Sequence, residues 1–276
     1  DTSACQPHRM ASEMQKEVQD LRDLLNARSA ELTESQKAFC TDFTLRRYLV
    51  ARSGKLEKAF DMLMSTLEWR KSFDVDNITG AAVAENGKTG KTHVAGTDKT
   101  GRPVVFMRPA RETTKNDHDG NLKHLVYQLE LAVSCMDEPN GIGKMAVVLD
   151  CKDFSAFNAP PMKTSRATLN ILQDHYPERL GKFLIVDAPW YFHAFYNAIY
   201  PFVDKVTAEK VTFITGKDPA ARRAALDAFI PPSRLPTGIY GELEESAFFS
   251  AASFFTPEGE QRLRDDAAEQ RRGATN

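Results

Sequence analysis

The composition of this chain is that of an ordinary globular protein, and it argues against several classes of function. Its 276 residues are 42% hydrophobic and 27% charged, which allows a substantial core in one or two domains. A net charge of -2 provides no overall basic field to recruit nucleic acid. Four cysteines without metal-like spacing predict reduced thiols and a cytoplasmic location. No apolar run is long enough to cross a bilayer, so we expect a soluble protein.

The first quarter of the chain predicts a small helical domain. Residues 1–10 carry little pattern and are predicted to be disordered. Apolar residues then recur at helical spacing, which predicts helices near 14–25, 34–40, 42–52 and 55–73. These segments together predict a helical domain over residues 11–75.

From about residue 100 onward, short apolar strands alternate with helices. The predicted strands are Val104–Met107, Met145–Asp150, Phe183–Asp187 and Val211–Thr215. The predicted helices lie near 121–136, 163–175, 190–200 and 218–229. This alternation is typical of βαβ units and predicts an α/β fold with a mainly parallel sheet flanked by helices. The tail after Pro257 is interpreted as a polar helix or a disordered segment.

The motifs of common enzymes are absent from the sequence. The stretch GKTGKT at residues 87–92 lacks the glycine that a phosphate-binding loop requires, because Ala82 and Glu85 occupy that position in the two registers. We interpret it as a polar surface turn. No GxSxG or HExxH motif occurs, so we expect no catalytic residue, no metal and no enzyme. Asp150 and Asp187 follow strands, where α/β folds often place ligands, and are interpreted as turn or cap residues.

Residues 190–203 are the most apolar stretch of the chain. Seven of its 26 aromatic residues lie between Trp190 and Phe202, and Pro189 is suited to a first helical turn. Apolar side chains recur at helical spacing at Phe192, Phe195, Tyr196, Ile199, Tyr200 and Val203. A helix that is apolar on most sides either belongs to a core or covers an apolar ligand, and the stretch alone leaves both interpretations open. At about 14 residues it is shorter than the roughly 20 that cross a bilayer.

Polar residues flank this aromatic stretch. Glu178 lies in YPERLGK, before a predicted strand, and Thr207 and Lys210 lie in DKVTAEK, before the next one. A hydroxyl and an ammonium three positions apart on one turn can converge on a single phosphate. Glu178 can accept hydrogen bonds from sugar-like hydroxyls. Each residue alone is equally a surface or cap residue, whereas together they favour a site for an amphipathic, phosphate-bearing lipid.

Four motifs occur in order over residues 42–245. They are LRRYLVARSGKLEKAFDMLMSTLEWRKSF, GRPVVFMRP, HYPERLGKFLIVDAPWYFHAFYNAIYPFVDKVTAEKV and LPTGIYGELEE. The chain therefore resembles the CRAL-TRIO family and, within it, the phosphatidylinositol transfer proteins, although Glu242 stands where a second glycine is usual. The resemblance implies a lipid-binding domain over 80–245 behind the helical amino-terminal domain, with a carboxyl-terminal extension over 246–276.

The resemblance also implies the roles of individual residues. The inositol-phosphate contacts would be Arg52, Glu178, Thr207 and Lys210, although Ser53 stands where the family has a basic residue. The aromatic residues 190–203 would form a gate that opens at a membrane and closes over the acyl chains. The gate and acyl-chain contacts would be Trp190, Phe192, Phe195, Tyr196, Ile199, Tyr200, Phe202 and Val203.

The expected function is non-enzymatic lipid transfer. The resemblance implies a carrier that takes phosphatidylinositol into an apolar pocket and exchanges it during transient, peripheral contact with phospholipid membranes. We expect a monomer that needs no cofactor and binds no nucleic acid. Met145 and Val147 stand where phosphatidylcholine-binding members place hydroxyls, which predicts a different second ligand. The region around residues 108–130 is similar to a subgroup with sterol-binding members, so a carrier of a sterol or another apolar molecule is the alternative.

Overall fold

The computed structural model describes residues 6–28, 32–155, 157–203 and 205–274, with the side chains of 6–12, 193, 195, 199, 202 and 274 outside the description. The chain divides into two compact units. The first comprises Asp1–Asp76 and Asn170–Glu178, and the second comprises Asn77–Leu169 and Arg179–Asn276.

The first unit is helical. Its helices are α1 (Gln6–Arg28), α2 (Glu34–Phe39), α3 (Asp42–Ala51) and α4 (Leu56–Phe73). The Thr33 and Thr41 hydroxyls cap α2 and α3 by accepting hydrogen bonds from backbone N–H groups in the first turn. The helices share a core of side chains with no exposed surface: Leu21, Leu45, Tyr48, Leu49, Leu63 and Leu67.

Helix α1 begins earlier than the sequence pattern indicated. The predicted disorder of residues 1–10 is wrong for 6–10, which are helical, and residues 1–5 lie outside the described residues. Extending an existing helix fixes one residue for each hydrogen bond gained, so a helix continues readily beyond its packed part. An apolar pattern marks only the packed part, which here starts near Met14.

The segment Asn170–Glu178 belongs to the first unit, although the sequence analysis placed it in the lipid-binding domain. Thr66 of α4 donates a hydrogen bond to the Asp174 carbonyl at 3.1 Å, and the Trp69 ring stacks on His175 with centroids 4.0 Å apart. These contacts between distant parts of the chain are not visible in a local pattern.

The second unit is an α/β domain. Its strands are β1 (Thr92–Thr97), β2 (Pro103–Met107), β3 (Met145–Asp150), β4 (Leu180–Val186) and β5 (Val211–Ile214). Its helices are α5 (Gly80–Gly87), α6 (His118–Ser134), the first part of α7 (Met162–His175, whose residues from Asn170 onward belong to the first unit), α8 (Phe192–Ile199), α9 (Lys205–Glu209), α10 (Pro219–Asp227), α11 (Glu245–Phe248), α12 (Ala251–Phe254) and α13 (Pro257–Ala274). The tail after Pro257 is thus a helix as far as Ala274.

The five strands form one sheet in the order β1-β2-β3-β4-β5. Strand β1 is antiparallel to β2, and the other neighbours are parallel, which confirms the predicted mainly parallel α/β sheet. Each parallel pair is joined by a helical crossover.

Strand β1 and helix α5 were not predicted from the sequence. Gly96, at φ +59°, and a shift in register between Val94 and Thr97 interrupt the alternating pattern of β1.

The two faces of the sheet bury different sets of side chains, because residues alternate along each strand. One face carries Val104, Phe106, Ala146, Val148, Leu184, Val186 and Ile214, which pack against α10 and the carboxyl-terminal segment. The opposite face carries Met107, Leu149, Phe183, Ile185, Val211 and Phe213, and we call these six residues the floor.

The GKTGKT stretch is neither a phosphate-binding loop nor a plain surface turn. A strand rather than a helix follows it, and Lys91 is buried. The Lys91 ammonium donates hydrogen bonds to both carboxylate oxygens of Glu112, at 2.9 and 2.8 Å, and to the Thr114 hydroxyl at 2.7 Å. The interpretation as a polar surface turn is therefore wrong, because these partners come from a loop more than 20 residues further along the chain.

Candidate functional site

The gate, residues 190–203, lies on the floor. Its helix α8 begins at Phe192 and is followed by a single 3-10 turn over Tyr200–Phe202. Phe192 is only 2% exposed and meets Phe154 edge to face, with ring centroids 5.4 Å apart. Tyr196 meets the floor residue Phe213 in the same way, at 5.4 Å. The interpretation as a core helix thus holds for this side of the helix, and its role as a cover over an apolar ligand stays a prediction.

The other side of the gate is exposed. Trp190 is 85% exposed and Tyr200 is 50% exposed, while Val203 is half-buried. The side chains of Phe195, Ile199 and Phe202 lie outside the described residues. Apolar burial is worth roughly 25 cal/mol per Å². The exposed rings of Trp190 and Tyr200 therefore lack the favourable free energy of burial, which contact with a lipid would supply.

The turn after the gate holds two of the predicted head-group residues. Thr207 lies in α9 and Lys210 directly precedes β5, and the Lys210 N–H donates to the Thr207 carbonyl at 3.1 Å. The Lys210 carbonyl accepts a hydrogen bond from Phe183 N–H at 3.0 Å, which fixes this turn to the floor strand β4. Both side chains are half-buried. The turn therefore presents a hydroxyl and an ammonium at the edge where β4 and β5 begin.

The other two predicted head-group residues lie in the first unit. Arg52 is the carboxyl-terminal cap of α3, and Ser53 and Gly54 after it adopt left-handed conformations. Glu178 is half-buried and has a φ of +58°, a conformation that costs a non-glycine residue of order 1 kcal/mol. Such strain persists only where the surroundings impose it. The structure thus places Thr207 and Lys210 in one turn, and Arg52 and Glu178 in the other unit.

The predicted second-ligand wall lies on strand β3. Val147 is half-buried and precedes the floor residue Leu149 by two positions, so both point to the same face. Its strand neighbours are Val105 and Phe183. Met145 shares this face by the same alternation and is 2% exposed. This part of the sheet offers apolar surface and no side-chain hydroxyl.

An open cleft of about 630 Å³ lies at the carboxyl edge of β3 and β4. Its walls are Lys152, Asp153 and Phe154 after β3, Pro189 and Tyr191 beside the gate, and Arg222 and Tyr240. A cavity of this size falls within the range of small-molecule sites. The carboxyl edge is also where open α/β sheets place their ligands. The sequence analysis did not identify this cleft.

Asp187 is the charged centre of the cleft. It directly follows β4, has a φ of +54°, and precedes the gate by three residues. Its carboxylate accepts a hydrogen bond from Arg222 and one from the Tyr240 hydroxyl, whose oxygen lies 3.0 and 2.8 Å from the two carboxylate oxygens. Burial, followed by the hydrogen bond to Asp187, raises the pKa of Tyr240 to about 12. Through these two partners, Asp187 acts as a tether for the amino-terminal end of the gate. The sequence analysis interpreted Asp187 as a turn or cap residue and did not predict this role.

A second charged pair lies beside this tether. Asp150 ends β3, and one of its carboxylate oxygens is 3.5 Å from Nε of the buried Arg108. Burial raises the pKa of Asp150, partly offset by a hydrogen bond from the Lys152 N–H. Arg108 also donates to Glu245 at 2.6 Å. Both aspartates that follow strands thus have arginine partners.

Two classes of site are not found in the described part of the chain. Within residues 6–28, 32–155, 157–203 and 205–274, no group of three or more histidine, cysteine or acidic side chains could hold a metal ion. Among the same residues, none of the helices has the length and apolar character needed to span a bilayer.

A sheet with an apolar floor beneath an aromatic helix defines an α/β domain suited to an apolar ligand. The model of the CRAL/TRIO domain family matches residues 87–241, more than half of the chain. The chain belongs to this family, whose members bind and transfer lipids.

Two curated relatives illustrate the similarity. A CRAL-TRIO domain-containing protein of Schizosaccharomyces pombe, C23B6.04c, is 33% identical over 218 residues, which are 79% of this chain. The phosphatidylinositol transfer protein PDR17 of Saccharomyces cerevisiae is 32% identical over 208 residues, which are 71% of this chain. The chain spans only 20% and 59% of the lengths of these two relatives.

A solved structure supports the fold. The crystal structure of Sfh5 superposes with a TM-score of 0.54 and covers 61% of this chain and 66% of its own. At 20% sequence identity, this likeness concerns the fold alone.

Proposed function

We propose that this chain binds phosphatidylinositol under its gate and exchanges it with phospholipid membranes without catalysing a reaction. The observation that carries the proposal is the position of the Thr207–Lys210 turn, directly after an aromatic helix that packs on an apolar floor. Similarity to a protein named as a phosphatidylinositol transfer protein supports it. Family membership supports lipid binding in general, and the head group is the further step that we propose.

The head group would be held by charge and hydrogen bonds. A hydrogen bond between a charged and a neutral group contributes about 1.5–3 kcal/mol, so the Lys210 ammonium and Thr207 hydroxyl would together give a phosphate a substantial preference. The family resemblance implies that Arg52 and Glu178 of the first unit also contact the head group, and this role stays a prediction. Glu178 would accept hydrogen bonds from the inositol hydroxyls.

Reversible exchange follows from the energetics of the acyl chains. Burial of some 30 methylenes is worth about 25 kcal/mol relative to water, at about 0.8 kcal/mol each. A bilayer offers nearly the same free energy, so the pocket and the membrane compete closely for the chains. The head-group contacts then bias which lipid is retained. The remaining barrier is the release of the gate from the floor.

The location and assembly follow from this function. We propose a cytoplasmic monomer that contacts membranes transiently and peripherally and needs no cofactor. The described free cysteines Cys40, Cys135 and Cys151 are all buried, and burial raises the pKa of each thiol, to about 12 for Cys151. Such thiols are suited to a reducing compartment.

An apolar second cargo is the alternative that one observation favours. Met145 and Val147 offer no hydroxyl to a choline-bearing phosphate, whereas they would pack against a sterol or a similar apolar molecule. A carrier of this kind would exchange little phosphatidylinositol. The two functions differ in which lipid the purified protein contains.

The test of the head-group assignment is the double substitution Thr207→Ala and Lys210→Ala. We expect it to abolish transfer of fluorescent phosphatidylinositol between vesicles while the melting temperature stays within a few degrees, since both side chains are half-buried. The control is Lys205→Ala, which removes an exposed lysine from the same helix and should leave transfer unchanged. Unchanged transfer by the double variant would contradict the assignment.

A further inference from the structure

Two aromatic side chains of the second unit lie almost entirely in solvent. Phe157 is 86% exposed and Trp190 is 85% exposed. Burial of apolar surface is favourable, so each exposed ring gives up most of the free energy that its burial would supply. They belong to different segments. Trp190 is part of the gate, whereas Phe157 lies in the loop between β3 and α7, to which the sequence analysis gave no role.

Direct contacts join this loop to the gate. The Tyr191 hydroxyl donates a hydrogen bond to the Phe154 carbonyl, and the two rings stack with centroids 6.4 Å apart. Phe154 also meets Phe192 of the gate helix edge to face. Phe157 therefore follows Phe154 by three residues, and Trp190 directly precedes Tyr191, the hydrogen-bonded partner of Phe154. Loop and gate border the same cleft, since Phe154 and Tyr191 both line it.

The charges around Phe157 suit an anionic surface. The Lys115 ammonium donates a hydrogen bond to the Phe157 carbonyl at 2.6 Å, which places a positive charge at the backbone of this residue. Lys152 and Lys163 are exposed at the two ends of the loop, and Asp153 is an exposed acidic residue beside Lys152. Three positive charges and one negative charge give Lys115, Lys152, Lys163 and Asp153 a net positive charge, while Asp117 and Asp119 lie at the start of α6, which His118 joins to Thr164. A lysine near an anionic lipid surface contributes favourably to binding, and exposed apolar rings with lysines nearby are typical of interfacial binding.

We propose that the loop between β3 and α7, described over residues 151–155 and 157–161, is a second membrane-contacting element, which docks together with the gate on an anionic phospholipid bilayer by inserting Phe157. This inference rests on the proposed function, because the gate is the first element. Docking through both segments would bring the cleft close to the bilayer, since residues of both segments line it. The lysines would then lie at the level of the lipid phosphates.

The test uses tryptophan fluorescence, because the chain has only two tryptophans, Trp69 and Trp190. Trp69→Phe leaves Trp190 as the reporter of the gate. A second protein, Trp69→Phe with Trp190→Phe and Phe157→Trp, reports the loop. Both proteins are mixed with vesicles of phosphatidylcholine and phosphatidylserine that carry brominated acyl chains. We expect the emission of both to shift to the blue and to be quenched by the bromine atoms.

The outcomes separate this proposal from the proposed function. If the gate reporter is quenched and the loop reporter keeps its water-exposed emission, the loop is not a docking element, and phosphatidylinositol transfer through the gate stands. If neither reporter is quenched, both the loop and the membrane role of the gate are contradicted.

A substitution pair measures the size of the effect. Phe157→Ala should lower affinity for phosphatidylserine-containing vesicles roughly 10-fold or more, as expected for the loss of one buried aromatic ring. It should leave the melting temperature unchanged because the ring is exposed. The matched control is Phe43→Ala on α3, which removes an exposed phenylalanine from the first unit and should bind vesicles like the unsubstituted protein. Equal binding by Phe157→Ala and the control would overturn the proposal.

Discussion

Substitution of Phe192 by alanine should release the gate from the floor and leave the rest of the second unit folded. Phe192 is the most deeply buried of the described gate side chains, at 2% exposure, and it packs against Phe154. A Phe→Ala change at a buried site costs roughly 3–5 kcal/mol. We take the lower value, about 3 kcal/mol, because the contact of Tyr196 with Phe213 remains.

This cost should be expressed locally, because the gate is an eight-residue helix with one exposed side. A free energy of about 3 kcal/mol corresponds to a shift of roughly 100-fold in the equilibrium between closed and open gate. Transfer of fluorescent phosphatidylinositol should accelerate by up to that factor. Hydrogen exchange of the α8 amides should accelerate in parallel.

The control for this prediction is Leu226→Ala. Leu226 is fully buried on the opposite face of the sheet, and its truncation costs a similar 2–5 kcal/mol. It should lower the global stability without accelerating transfer. Wild-type transfer by Phe192→Ala, or equal acceleration by both variants, would refute the role of the gate.

Three further predictions concern buried polar groups of the second unit. Tyr240→Phe removes the hydroxyl that holds Asp187, so transfer should accelerate roughly 10-fold in the vesicle assay, and an unchanged rate would contradict the tether. Burial lowers the pKa of His93 and of His124 to about 3, below the unfolded value near 6.5. Below pH 6.5 the unfolded chain therefore binds protons that the folded protein does not bind. The free energy of unfolding, measured with urea, should fall from pH 6.5 toward pH 3. Each histidine should contribute up to about 1.4 kcal/mol per pH unit to this fall. A flat profile would contradict their burial. Lys91→Ala leaves a carboxylate without its partner and should cost about 3–5 kcal/mol by urea unfolding, and a cost under about 1 kcal/mol would contradict the buried pair.

Local patterns were sufficient for most of the fold. Strand β3 has the predicted bounds, and α3 and α4 match within one residue at each end because both carry apolar side chains every three to four residues. Strand β1 escaped prediction because its register depends on β2, and on Gln270, whose side chain accepts the Thr97 N–H at 2.8 Å. No local pattern contains that partner.

The candidate site shows the same division. The aromatic gate and the Thr207–Lys210 turn were visible because their residues are close in sequence. The tether was not, because Arg222 and Tyr240 are 35 and 53 residues from Asp187. A polar residue at the end of a strand was the available signal, and it does not distinguish a cap from a tether. Phe157 carried no signal, since exposure is not visible in a single sequence.

The composition of the bound lipid tests the central claim most directly. The protein would be purified without detergent from cells that contain phosphatidylinositol, and its lipids would be extracted and identified by mass spectrometry. We predict phosphatidylinositol in the unsubstituted protein and in Lys205→Ala, and its loss from the Thr207→Ala and Lys210→Ala double variant. Extracts without phosphatidylinositol, or with equal amounts in all three proteins, would contradict the claim that the turn after the gate selects this lipid.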